Sequence, residues 1–370
     1  MDEHTTYVGL DTHKLSIHVA IIRPGESRVH EHTMTTDPKA IRRWAKKLLA
    51  EAPGRVICAY EAGPLGYTLQ RQLKSLGLEC QVIAPALVPV KPGQRIKTDR
   101  RDARKLADLL RAGLLTEVHP PSPQQEAVRD LCRAREDARQ DLHRCRHRIV
   151  KFLVRRGIIW TAGRKAWTQA HRTWLHGIAF ERRADQAVFD DYLLAVEQLE
   201  ARTASLESEL DGVCAEDPYR EPVGWLRCFR GIDTVTAITI VAELHDPRRF
   251  QSPRDLMAYL GLVPSEHSTG ERRRRGGITK AGNSHVRRVL IEAAWHYRHR
   301  AAVGVKLRQR RHGQSPRVIA IADRAQQRLC RRYHRLTEHG KPPNKVVVAV
   351  ARELVGFIWA ALNPANQQAA

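Results

Sequence analysis

Four carboxylates in this chain have the types and spacing that phosphate chemistry uses. Asp11 follows the apolar run Tyr7-Val-Gly-Leu10, Glu61 follows Val56-Ile-Cys-Ala-Tyr60, and Asp99 and Asp102 stand in Lys97-Thr-Asp-Arg-Arg-Asp-Ala-Arg104. Acids that each end a strand-like run fall at one edge of a sheet, and an i, i+3 spacing turns Asp99 and Asp102 to one side of a helix start. Crowded together, such groups repel and raise one another's pKa unless divalent cations fill the gap. Mg²⁺ suits that gap, with Mn²⁺ as a substitute, because it takes one or two protein carboxylates and completes its shell with water and phosphate oxygens. Two ions there would clamp a phosphodiester, one activating the attacking group and the other stabilising the leaving oxygen.

Each acid also has a plain structural role open to it. Asp11 can cap the Thr12-His-Lys14 turn, Glu61 can cap a helix after Gly63-Pro64, and Asp99 can be an N-cap. His13 and His18 are candidates for phosphate contact, although His18 fits the polar face of its strand better. His143 and His147 share a helix face among arginines with no glutamate between them, which suits a solvated surface rather than zinc. Arg95, Lys97, Arg100, Arg101, Arg104 and Lys105 surround the last two carboxylates and are placed to receive a nucleic-acid backbone, or are simply solvated.

The overall charge narrows the partner. Against 63 Lys and Arg stand 40 Asp and Glu, a formal charge of +23. A field of that sign favours encounter with a polyanion, nucleic acid first, the competing reading being a solvated basic surface. With 370 residues, 42% of them apolar, more than one core is expected. No signal-peptide pattern and no run of membrane-spanning length is found, so the expectation is a soluble, intracellular protein. Seven scattered cysteines without a C-x-x-C pair argue against a disulfide framework and against a cysteine zinc site.

The elements that must hold the acids alternate in type. Tyr7–Leu10, Ser16–Ile22 and Arg28–Thr33 read as strands, with a Pro24-Gly25 turn. A helix follows, with Asp37 as N-cap, Pro38 at its first position, and Ile41, Trp44, Ala45, Leu48 and Leu49 on its apolar face. Arg55–Tyr60 reads as a strand, Tyr67–Leu76 as a helix stopped by Gly77, and Cys80–Ala84 as a strand. The order predicts a mixed sheet covered by helices, with strands absent from Arg101 onward. Gln124–Arg156 and Asp185–Leu210 carry apolar stripes that suit an antiparallel helical hairpin or an interchain coiled coil. Between them Trp160, Trp167 and Trp174, seven apart, fit one helix face, either as core or as base-stacking rings. Arg230–Glu243 resembles half of a helix-hairpin-helix, and Pro264–Gly277 reads as an exposed loop carrying Ser265, Ser268, Thr269 and Arg272, Arg273, Arg274 and Arg275 before a helix opening near Asn283.

Taken in order, these motifs resemble the IS110-type transposases, with the IS1111 subgroup one placement left open. Tyr-Val-Gly-Leu-Asp11-Thr-His-Lys, Glu61-Ala-Gly-Pro and Lys97-Thr-Asp99-Arg-Arg-Asp102-Ala-Arg-Lys-Leu-Ala107 look like that family's DEDD signature. Phe229-Arg-Gly-Ile, Phe250 to Pro264, Ser268-Thr-Gly270 and Gly277-Ile-Thr-Lys-Ala-Gly-Asn283 look like its C-terminal transposase domain. The resemblance implies an α/β RuvC-like, RNase H-type domain over residues 1–118, a helical coiled-coil region with an inserted linker over 119–215, and a mainly helical serine-bearing domain with a basic tail over 216–370. It implies that Ser268 is the nucleophile of a covalent serine–DNA intermediate, with Ser265, Thr269 and Ser284 as local competitors. It further implies a Mg²⁺-dependent recombinase acting on double-stranded DNA at donor and target sites, guided by a structured noncoding bridge RNA. Assembly from dimer to tetramer and a cytoplasmic, prokaryotic, nucleoid-associated setting complete the expectation, with Arg272 to Arg275 and Lys280 as nucleic-acid contacts. A hydrolytic RuvC-like nuclease or junction resolvase is the alternative, and a non-enzymatic nucleic-acid-binding protein the second.

Overall fold

A computed structural model describes residues 4–63, 65–89, 98–163, 165–266, 268–269 and 274–363. The chain divides into two units, Met1–Pro121 and Ser122–Ala370. In the first, β1 (Thr6–Thr12), β2 (Ser16–Ile22) and β3 (Val29–Thr35) form an antiparallel meander. Helix α1 (Pro38–Glu51) starts where expected, the Asp37 carboxylate accepting from the amides of Lys39 and Ala40. It leads to β4 (Val56–Glu61), and α2 (Thr68–Ser75) leads to β5 (Glu79–Ile83), both strands running parallel to β1. Helix α3 (Asp99–Arg111) precedes the two-residue β6 (Glu117–Val118), and the finished sheet has the order β3-β2-β1-β4-β5-β6.

The central strands are buried on both faces, which is why they read as nearly continuous apolar runs. Val8, Leu10, Cys58 and Tyr60 face Ile41, Ala45 and Leu48 of α1 and Leu69 and Leu73 of α2. The alternate residues face the other way: Ala20 and Ile22 meet Ala103 and Ala107 of α3, while Ile57 and Ala59 meet Leu110. The result is three layers, helices, sheet and helix.

The second unit begins with α4 (Pro123–Val154), capped by Ser122 and Gln125, and returns through α5 (Gln169–His176) and α6 (Arg183–Ala215). Ion pairs Arg135–Glu207, Arg146–Glu200 and Arg156–Asp185 climb α4 as they descend α6, so the two helices are antiparallel, as expected. The tryptophans differ from expectation. Only Trp174 belongs to α5; Trp160 and Trp167 lie outside any helix, and all three rings converge on buried His171 with centroids 5.3 Å away. A seven-residue spacing suggests one helix face only if the helix is unbroken, and here the turn at Gly157, whose φ is +72°, interrupts it.

At the base of the hairpin, Val128, Cys132 and Leu210 enter the core of the remaining helices. These are α7 (Arg220–Arg227), α8 (Thr234–Leu244), α9 (Pro253–Tyr259), α10 (Ser284–Ala294), α11 (Val305–Arg311), α12 (Pro316–Glu338) and α13 (Pro343–Leu362). The α7–α8 turn has Gly231 at φ +81° and Asp233 capping Thr236. Strands do not vanish after Arg101. Besides β6, β7 (Pro264–Glu266) and β8 (Arg275–Ile278) pair antiparallel where an exposed loop was expected. These pieces are short, β7 being Pro-Ser-Glu and β8 Arg-Gly-Gly-Ile, so neither apolar alternation nor β-propensity marks them. No helix among the described residues is long and apolar enough to cross a membrane.

Candidate active site

Strand register assembles the acidic edge. Leu10 pairs with Tyr60 across the parallel β1–β4 ladder, and both are fully buried against α1 and α2. One residue further, alternation turns Asp11 and Glu61 to the opposite face, the face covered by α3. Across β2 and β3 the same row continues, since Asp11 pairs with His18 and His18 with Thr33.

Gly9 brings α3 down onto that row. A Cβ at Gly9 would lie 2.0 Å from the Ala103 carbonyl oxygen and 2.5 Å from the Ala107 nitrogen, so the helix backbone sits where any other residue would hold it off. The first turn of α3 then reaches Asp11. Thr98 is the N-cap, its Oγ1 accepting from Arg101 N at 3.4 Å, which leaves Asp99 free of the capping role. His13 Nε2 lies 3.3 Å from both Asp11 Oδ2 and Asp99 Oδ2, and His18 Nε2 lies 3.4 Å from Asp99 Oδ2 while its Nδ1 meets Thr33 Oγ1 at 3.0 Å. His18 therefore faces the acids, contrary to its expected place on the strand's polar face. The parity of His18 with Ala20 and Ile22, small and apolar residues turned toward α3, is the sequence signal that would have found it.

Burial pushes the Asp11 carboxyl above its usual range, His13 opposes this, and the charges of Asp99 and Asp102 reinforce it. A carboxylate raised first by burial and then by the acids beside it, with an imidazole bridging Asp11 and Asp99, marks a place that calls for positive charge. Asp11, His13 and Asp99 present ligand atoms within 4.8 Å of one another, a donor set that fits a divalent cation, oxygen-rich enough for Mg²⁺. Of the basic residues nearby, Arg100 is ion-paired with Glu31, Arg101 and Arg104 are exposed, and Lys105 is half-buried. Arg95, Lys97, Arg272 and Arg273 lie outside the described residues.

In the second unit, Ser268 is exposed, and its Oγ donates to Glu266 Oε1 at 2.8 Å. The other Glu266 oxygen lies 3.5 Å from Arg275 Nε across the hairpin. Ser265 is half-buried against the hairpin, its Oγ 2.4 Å from where a Cβ of Gly276 would be, and Ser284 opens α10 behind the Asn283 cap. Arg274, Arg275 and Lys280 are exposed.

Backbone contact fixes this hairpin to the helices. A Cβ at Gly282 would lie 1.8 Å from the Tyr259 carbonyl, one at Gly261 2.3 Å from that of Ala281, and Lys280 N donates to Gly261 O at 3.1 Å. Below the crossing, Asn283 Nδ2 donates to Glu243 Oε2 at 2.7 Å, and Arg133 grips the same carboxylate at 2.8 and 3.0 Å. Sequence reading missed both Glu266 and this buried Glu243 clamp.

Two family models match the chain, one in each half of the sequence. A model described as the transposase IS116/IS110/IS902 family matches residues 225–309, and a DEDD transposase model of the IS110 type matches residues 8–156. The putative transposase y4qE of Sinorhizobium fredii is 43% identical over 369 residues, 99% of this chain and 90% of its own length. The transposase for insertion sequence element IS1533 of Leptospira borgpetersenii is 34% identical over 333 residues, covering 89% and 96%. The transposase for IS1111A of Coxiella burnetii is 27% identical over 229 residues, covering 60% and 61%. With both domain models in order and such identity along nearly its whole length, the chain belongs to the IS110 family of insertion-sequence transposases, which act on DNA by cutting and rejoining it.

Proposed function

We propose that this chain is a site-specific recombinase of its insertion sequence that works through a covalent serine–DNA intermediate, assisted by a divalent cation. The carrying observation is the Ser268 hydroxyl donating to the Glu266 carboxylate at 2.8 Å. A serine hydroxyl is a poor nucleophile at its free pKa, and a carboxylate within hydrogen-bond reach can take its proton as attack begins. The Oγ–P bond forms while one bridging P–O bond breaks, and the leaving oxygen departs as a hydroxyl after accepting a proton. Attack by the hydroxyl of an exchanged strand on the serine phosphodiester reverses the step and frees Ser268. Phosphodiester energy is conserved, so neither ATP nor hydrolytic water enters.

Asp11, Glu61, Asp99 and Asp102 would hold Mg²⁺, with Mn²⁺ as a substitute, which when bound supplies charge that stabilises the leaving oxygen. The meander-plus-parallel sheet order supports a RuvC-like, RNase H-type reading of residues 1–118, followed by a helical arm over 119–215 and the serine-bearing domain over 216–370. The formal charge of +23 supports a nucleic-acid complex in which a structured noncoding guide RNA accompanies donor and target DNA. Strand exchange requires several cuts, which supports a dimer that assembles into a tetramer.

Capture on labelled DNA tests the central step. With divalent ion and the element's RNA present, the wild-type protein leaves a DNA adduct and Ser268→Ala leaves none, while Asp11→Asn and Glu61→Gln lose cutting but keep DNA binding. An undiminished adduct in Ser268→Ala moves the nucleophile elsewhere. Hydrolysed ends without any adduct make the protein a nuclease.

A further inference from the structure

A groove of 1460 Å³ opens beside the β7–β8 hairpin, walled by α9, α12 and α13. Among the described residues six cationic side chains line it, Arg254, Arg275, Lys280, Arg332, Lys345 and Arg352, against the single carboxylate of Glu353. That carboxylate is already shared, with Arg332 Nε at 2.5 Å and Arg328 Nε at 2.9 Å. Arg254, Lys280, Lys345 and Arg352 are exposed and enter no ion pair among the described residues. Lys345 and Arg352 are seven residues apart on α13, two turns, and so share one face of that helix. The floor between the cations is apolar, formed by Met257, Ile291 and Val348.

One further observation ties this groove to the serine, and a second marks its edge. Arg275 lines it and also faces Glu266, which accepts the Ser268 hydroxyl, so one chain of contacts runs from groove to nucleophile. Lys280 sits at φ +57°, a left-handed conformation that is strained for a residue with a side chain and is held by its backbone bond to Gly261. Strain of this kind persists where the neighbouring structure enforces it, and here it occurs at a lysine on the groove's edge.

We propose that this groove holds the sugar-phosphate backbone of the DNA strand that Ser268 attacks. The inference rests on the serine reading above, which is what commits the occupant to DNA rather than RNA. Cations at the rim take the phosphates, and the apolar floor meets the sugars. Among the described residues no aromatic ring lines the groove, so the contact rests on phosphate and sugar, and binding here is indifferent to sequence.

The test is a fluorescence-anisotropy titration of full-length protein with labelled duplex DNA over a series of salt concentrations, comparing wild type with the Lys345→Ala, Arg352→Ala double variant. The slope of log affinity against log salt becomes shallower by about 0.9 for each phosphate that is no longer neutralised, and affinity falls roughly 50-fold at about 0.1 M salt, equally for unrelated sequences. Unchanged slope and affinity overturn the proposal, as does a loss confined to RNA in a parallel RNA titration or to one DNA sequence. Because both side chains are exposed, an unaltered thermal melt distinguishes weakened phosphate binding from damage to the fold. Adduct capture separates the two readings: an adduct with groove-independent binding removes the groove alone, whereas groove-dependent binding without any adduct removes the serine step alone.

Discussion

Gly9→Ala probes the packing that brings the acids together. The new Cβ would meet the Ala103 carbonyl at 2.0 Å, and ordinary contact begins near 3.4 Å, so strand and helix backbones must part by about 1.4 Å. Whether α3 shifts or detaches depends on two magnitudes. Overpacking of this kind costs about 1–3 kcal/mol. Against it stands the burial of Leu106 and Leu110, roughly 1.5–3 kcal/mol apiece, besides Ala103 and Ala107. Burial wins, so α3 stays folded on the sheet but displaced, carrying Asp99 and Asp102 away from Asp11.

A displacement beyond 1 Å in a reacting constellation lowers rates on the order of 10²-fold. Strand cutting by Gly9→Ala should therefore fall by about that factor, with Mn²⁺ affinity, read by electron paramagnetic resonance, falling in parallel. Hydrogen exchange in α3 should rise by less than global unfolding would give. Gly212→Ala serves as the control, since nothing lies within 4 Å of its Cβ position in α6 and helix propensity favours alanine by about 1 kcal/mol. A Gly9→Ala protein that binds Mn²⁺ and cuts DNA like the wild type would refute the claim that close approach of α3 sets the carboxylate geometry.

Two further outcomes follow from the second unit. Burial pushes the Glu243 carboxyl up, but hydrogen bonds from Arg133 and Asn283 outweigh it and hold the group below its ordinary 4.5. The clamp thus stabilises above that value and is lost as pH falls through the lower folded pKa. Arg133→Ala should cost about 3 kcal/mol, the low end for stranding a buried charge because Arg133 is 40% exposed, and should abolish this gain in stability with pH. Urea melts at pH 4 to 7 followed by tryptophan fluorescence read this, since six of the seven tryptophans belong to the second unit; an unaltered midpoint and pH profile would contradict it. Glu266→Gln keeps a hydrogen-bond acceptor for Ser268 but removes the base, so single-turnover adduct formation should slow by about 10²-fold or more while DNA affinity holds, and a rate within about threefold of wild type would exclude Glu266 from proton transfer.

Periodicity made the first unit legible because each of its strands must satisfy a core. Asp37 before Pro38, Gly77 after α2 and the alternation through β1, β2 and β4 each have one comfortable local structure, and burial on both faces enforces the register. The acids at the strand ends were visible for the same reason, since Asp11 and Glu61 interrupt runs that are otherwise apolar. The histidines were hidden because their place depends on pairing across strands: His18 reaches Asp99 only once β1 and β2 are in register and α3 has closed over Gly9.

The hairpin that carries Ser268 was obscure for a different physical reason. Its strands have almost no apolar side chains to bury; they are held by backbone pairing and by the close approaches that Gly261 and Gly282 permit. Such approaches leave glycines in the sequence but no periodic pattern. The same economy governs the chemistry proposed here. Ser268 gains its partner from Glu266, two residues away, and Glu266 is faced in turn by Arg275, so the reactive trio spans one hairpin. Local trios of this kind need no core of their own. They need a rigid base, and the Arg133–Glu243–Asn283 clamp around the buried Glu243 carboxylate supplies one, which is why its loss should disturb the serine hairpin as well as the stability of the helices.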